Sequence, residues 1–161
     1  MKKIVVAAMV SLAVLFAVSC QSTGSAGGSD NTPQASSTDD AALERIYDRY
    51  EGGIILTGAK TYKVVSGDNL SKIARANYGA GDNGYYFPLI IAATKEPIAD
   101  PDKIEIGTEL TIPDLNANLN NPQARGNLKN LLKDVADFYA RKGGTQSEQL
   151  NQGLTRLNNT L

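Results

Sequence analysis

Apolar positions along the chain fall into blocks of different period, and each block predicts an element. Behind Met1, Lys2 and Lys3 runs an unbroken apolar stretch from Ile4 to Val18, relieved only by Ser11. It is shorter than the ~20 apolar residues that a bilayer-crossing helix takes, and its basic start and small-residue end have the layout of an export signal. Gln21 to Thr38 holds no large apolar side chain, so it predicts a flexible tether. After it, Leu43, Ile46, Tyr47 and Tyr50 recur at helical spacing; Asp39 and Asp40 are suited to cap that helix and Gly52-Gly53 to stop it. Ile54 to Leu56 reads equally as a strand or as buried coil. Tyr62 to Val65 predicts a strand, and Asn69 to Tyr78 a helix capped by Asp68, with Leu70, Ile73 and Ala74 on one face and Gly79 at its end. Tyr86 to Lys95 is apolar nearly all round, which predicts a buried helix ended by Glu96-Pro97. Ile98 to Gly107 is a loop, and Glu109 to Ile112 alternates as a second strand before Pro113.

Asp114 to Gln123 is Asn-rich and predicts a linker. Leu128, Leu131, Leu132, Val135, Phe138 and Tyr139 then mark the most regular helical stripe in the chain. Gly143-Gly144 breaks it, and Thr145-Gln146-Ser147-Glu148 has the letters of a capping box opening a last helix with Leu150, Leu154, Leu157 and Leu161 on one side. The predicted organisation is a signal peptide at 1–19, a tether at 20–38, a flanking helix and connector at 39–60, a central domain at 61–113, a linker at 114–124 and a helical hairpin at 125–161. The hairpin is expected to pack with the Leu43 to Tyr50 helix as a small bundle against the central domain.

Composition narrows the chemistry. With 16 basic against 17 acidic residues, and Lys2 and Lys3 in the leader, there is no basic patch to neutralise phosphates, so nucleic acid is not expected as a partner. The absence of histidine removes His-dependent triads and the common zinc sites, and one cysteine, Cys20, allows no internal disulfide. Gly79 to Gly84 fits G-x-G-x-x-G by letters, yet it follows a helix and belongs to no βαβ unit, so it predicts no nucleotide site. Asp100 and Asp102 flank Pro101 as solvated turn residues usually do, and no catalytic role is expected of them. Neither an enzyme activity nor a metal or cofactor is expected.

Two resemblances carry the functional expectation. Ala17-Val18-Ser19-Cys20 resembles a bacterial lipobox, with Ala17 where leucine is usual; this implies export, lipidation of Cys20 and anchoring at a membrane of the cell envelope. The series Tyr62-Lys63-Val64-Val65, Gly67-Asp68-Asn69-Leu70, Ile73-Ala74, Tyr78-Gly79, Gly107 and Leu110-Thr111-Ile112-Pro113 resembles a LysM domain from Thr61 to Pro113. The resemblance implies an α+β class with a βααβ domain, two helices on one side of a two-stranded antiparallel sheet, between an N-terminal helix and the C-terminal hairpin. It also implies non-catalytic binding of N-acetylglucosamine polymers such as peptidoglycan, in a groove between the Ser66 to Leu70 loop and the Glu96 to Asp100 loop. The residues so implicated are Gly67, Asp68, Asn69, Leu70, Thr94, Pro97, Ile98 and Ala99. An N-acetyl sugar offers an amide that needs hydrogen-bond partners and a methyl that needs aliphatic contact, which such loops supply. Thr94 stands where the family commonly has asparagine, and the glycine-rich segment with Tyr85 and Tyr86 before Phe87 is longer than usual. The competing expectation is a LysM-fold scaffold that binds a protein partner through its flanking helices.

Overall fold

The computed structural model describes residues 35–98 and 100–161, with side chains from Thr38 onward; the export segment, Cys20 and Ala99 lie outside the described residues. Helix α1 (Ala35–Glu51) buries Leu43, Ile46 and Tyr47 against a long C-terminal helix, α5 (Pro122–Lys142). It begins at Ala35 rather than at the predicted Asp39, so Asp39 and Asp40 lie inside the helix and cap nothing, and four residues assigned to the tether are helical. Asp134 of α5 fastens α1 by accepting from Arg49 Nη1 and Tyr50 Oη, each at 2.8 Å.

Strand β1 (Lys60–Lys63) pairs antiparallel with β2 (Glu109–Ile112), Lys60 opposite Ile112 and Tyr62 opposite Leu110. The observed β1 lies two residues earlier than the predicted Tyr62 to Val65. Val64 still exchanges backbone hydrogen bonds with the segment leading into β2, donating to Thr108 and accepting from Gly107, but the Val65 N–H turns instead to the Asp68 carboxylate at 2.9 Å, and pairing ends there. Ile54 to Leu56 forms no strand.

Helix α2 (Leu70–Tyr78) turns Leu70, Ile73 and Ala74 inward, and α3 (Phe87–Ala93) is buried over its whole length, packed on both α2 and β2. Between them Gly81–Tyr86 forms a 3₁₀ turn. Its Asn83 side chain donates to the Tyr78 carbonyl at the end of α2, and Tyr86 meets Tyr78 edge-to-face at 6.0 Å. The cap of α2 is Asn69, whose side-chain oxygen accepts the Lys72 N–H at 2.9 Å, not Asp68 as predicted, because the Asp68 carboxylate is already taken by Tyr62 and Val65.

The expected linker after Pro113 is instead a helix, α4 (Leu115–Asn120), capped by Asp114, with Asn121 capping α5 directly behind it. Its hub is Asn118, 1 % exposed: Nδ2 donates to the carbonyls of Ile55 and Asp114, and Oδ1 accepts the Ile55 N–H. One amide thus holds the Ile54 to Leu56 coil in place of a strand partner. Helix α6 (Thr145–Asn159) packs antiparallel-hairpin fashion on α5 through Leu154 and Leu157. The capping box does not form: Gly143 and Gly144 take positive φ, the helix starts at Thr145 itself, and Gly144 occupies the cap position without a side chain. Further along α6, the ring of Tyr85 lies on Gly153, where any Cβ would overlap it, so the glycine-rich segment before α3 serves as the seat of α6.

Candidate functional site

The loop from Val65 to Asn69 is organised by Asp68. Its carboxylate accepts from the Tyr62 hydroxyl at 2.8 Å and from the Val65 N–H at 2.9 Å, and these two donors, the backbone one foremost, hold its pKa below the usual carboxylate range, with Lys72 adding to the effect. Lys72 Nζ in turn bonds to the Gly67 carbonyl at 2.8 Å, and Gly67 sits at φ 88° with open space beyond its α-carbon. A depressed folded pKa makes the contribution of Asp68 fully present above the ordinary carboxylate pKa and lost as pH falls through the folded value. Acid titration followed by the amide signals of Val65 and Asn69 is therefore expected to show the loop opening only as pH falls below the ordinary carboxylate range. Asp68→Asn should lack that step, and an unchanged profile in the variant would contradict the assignment.

The remaining implicated residues divide. Asn69 keeps its amide group at the surface while its oxygen caps α2. Leu70 is 3 % exposed, because the first turn of α2 points it beneath the loop, and it both joins the core and borders the groove described below. The Thr94 hydroxyl donates to the Ile90 carbonyl at 2.7 Å and accepts the Thr111 N–H at 3.0 Å, tying the end of α3 to β2 from a buried position. It positions the start of the second loop and borders the cleft that Pro97 and Ile98 line. Pro97 and Ile98 line a small cleft against Glu44, Tyr47 and Asp48 of α1, and the other side of their loop forms a separate hollow with Lys103, Ile104 and Thr108. Ala99 lies outside the described residues. Neither hollow includes a residue of the Ser66 to Leu70 loop, so the structure does not bring the two halves of the expected site into one cavity.

The Ser66 to Leu70 loop instead borders a cavity of about 340 Å³ between the start of α2 and the Pro101-Asp102 turn, which follows the second loop. Asn69, Leu70 and Ser71 form one wall. The opposite wall belongs to the C-terminal hairpin, through Tyr139 of α5 and Gln146 and Leu150 of α6. Gln146 Nε2 reaches Asp102 at 3.3 Å across the mouth, and Asp100 builds the turn by accepting the Asp102 N–H at 2.9 Å. Burial above all, then Asp102 and Asp100, pushes the Tyr139 phenol pKa up, so this hydroxyl stays a neutral donor and acceptor. The lining mixes amide, hydroxyl and carboxylate groups with Leu70, Phe87 and Leu150, at a volume within the range of small-ligand sites. Sequence reasoning missed Tyr139, Gln146 and Leu150 because each fits its own helix's pattern, and nothing local marks them as neighbours of Asn69.

Two exposed aliphatics also escaped the sequence reading. Val65 and Ile106 are 54 % and 71 % exposed, on either side of the terminal Val64 to Gly107 backbone pairing. No group of His, Cys, Asp or Glu side chains among the described residues has the arrangement of a metal site, and no described helix is long and apolar enough to cross a membrane.

Comparison with protein families finds one model matching residues 62–113, that of the LysM domain. Neither the curated proteins nor the solved structures gave a match. LysM domains are generally modules that bind N-acetylglucosamine-containing glycans, peptidoglycan among them, rather than catalysts. The matched segment contains the second half of β1, all of β2, α2, the 3₁₀ turn and α3. Residues 62–113 are a LysM domain, carried between one described helix on its N-terminal side and three on its C-terminal side.

Proposed function

We propose that this chain binds an N-acetylglucosamine-containing cell-wall glycan, without catalysis, in the groove between Asn69-Ser71 and the C-terminal hairpin. The observation that carries the reading is the 340 Å³ cavity itself, which sits at the β1–α2 loop of a LysM domain and sets amide and hydroxyl groups beside aliphatic and aromatic surface. That combination matches both faces of an acetamido sugar. Export and a lipid on Cys20 would hold the module near the wall, as the Lys2-Lys3 leader and the Ala17 to Cys20 segment suggest. A groove open to solvent buries little ligand, so affinity per module is expected in the micromolar to millimolar range, on the order of −4 to −8 kcal/mol, with anchoring raising the effective concentration.

One observation favours a second reading. The Gln146–Asp102 bond narrows the mouth of the groove, as it would in a scaffold that has given up sugar recognition and engages a protein through its helices. Sedimentation of the full chain with insoluble peptidoglycan and with chitin, in mild detergent and across ionic strengths, separates the two. Co-sedimentation is expected, and a chain that stays in the supernatant throughout would overturn glycan binding.

A further inference from the structure

The groove does not end at Arg75. A second hollow of about 150 Å³ continues from it between α2, the 3₁₀ turn and α6, and the two share Ser71, Arg75, Gln146 and Leu150 as common walls. The second hollow adds Gly84, Tyr85 and Gln149.

Arg75 stands where the lobes meet. Its side chain lies over Gly84, whose missing Cβ leaves the room: a Cβ there would stand 3.2 Å from Nε. Among the described residues no carboxylate pairs with this guanidinium and no carbonyl accepts from it. The nearby cation Arg156, by contrast, is paired with Asp82 and stacked 5.9 Å from the Tyr85 ring. Asp102, the acid of the first lobe, is engaged by Gln146. An exposed guanidinium without a carboxylate partner, lining a hollow together with Gln146 and Gln149, is a site for a planar anion with further hydrogen-bonding groups.

We propose that this second lobe takes a carboxylate-bearing substituent of the glycan lying in the first, so that the chain prefers an acidic, acid- or peptide-substituted amino-sugar polymer to a neutral one. The inference rests on the glycan reading of the groove. It also gives the C-terminal hairpin a recognition role that the LysM segment by itself lacks, since Gln146 and Gln149 lie outside residues 62–113.

Calorimetry with the full chain, using a chitin tetramer as the neutral probe and a peptidoglycan fragment that retains its carboxylates as the acidic one, tests this. The wild type should bind the acidic fragment more tightly, with a salt dependence the tetramer does not show. Arg75→Gln, at an exposed position, should weaken the acidic fragment about fivefold more than it weakens the tetramer, whose lobe Arg75 also borders, and Arg75→Lys should restore part of the difference. If the wild type binds both probes equally, or if Arg75→Gln weakens both alike or neither, the acid-reading lobe is refuted while glycan binding stands. If neither probe binds the wild type, the glycan reading falls and this inference with it.

Discussion

Asn118→Ala should lower the unfolding free energy by about 2–4 kcal/mol, measured as a shift of the urea midpoint, which is the largest effect expected of any polar residue among those described. The side chain is 1 % exposed and uses its oxygen and its nitrogen together. Truncation leaves the half-buried Ile55 N–H and carbonyl without their partner, and the cost of such orphaned groups exceeds the net worth of the bonds when made. Asn118→Leu, which refills the volume, should recover little for the same reason. Asn118→Asp should be worse than alanine at neutral pH, because a carboxylate would face the Ile55 and Asp114 carbonyls that the amide now donates to. Faster exchange of the Ile55 amide in the alanine variant locates the damage; a midpoint within experimental scatter of wild type would contradict the role given to this residue.

Gln146→Trp should abolish retention on the insoluble glycan, reducing binding at least tenfold, or about 1.4 kcal/mol, while leaving stability nearly unchanged. Gln146 is exposed in the first turn of α6 and gives up only one long bond, at 3.3 Å, so folding has little to lose. Yet it lines both lobes of the groove, and an indole there occupies the space a sugar would take. Circular dichroism melting checks the fold in the same samples. A folded variant that is retained like wild type places the ligand elsewhere, most directly in the hollow around Pro97, Ile98 and Lys103.

The fold was legible where burial imposes a period. Helices α2, α3 and α5 and strand β2 bury residues at regular spacing, and the pattern Leu110/Ile112 or Leu128/Leu131/Leu132/Val135 has no other economical arrangement. Helix α4 was not legible, because its anchor is an asparagine: Asn-rich composition signals a linker until the Ile55 backbone is brought to it from far along the chain. The exchange of roles between Asp68 and Asn69 has a similar origin. Either residue type caps a helix, and only the tertiary position of the Tyr62 hydroxyl decides which one is otherwise engaged.

The site divides along the same line. Asn69 follows from the local Gly-Asp-Asn-Leu series, and the structure leaves its amide at the groove. Thr94 drew notice as a departure from the family's asparagine, but its hydroxyl joins α3 to β2. The far wall of the groove comes from residues more than sixty positions away, whose apolar members are indistinguishable from ordinary hairpin core until α5 and α6 are placed. Tyr85 on Gly153 is part of the same arrangement, since it seats the helix that carries Gln146 and Leu150.

The central claim is that ligand lies between the LysM loop and the hairpin. It is tested most directly by titrating the isotopically labelled chain with an N-acetylglucosamine tetramer and following backbone amide shifts. The account predicts shifts that saturate together at Asn69 to Arg75 and at Gln146 to Leu150, two segments that line the groove from opposite sides. No shifts at millimolar sugar, or shifts confined to Pro97-adjacent residues and α1, would contradict it.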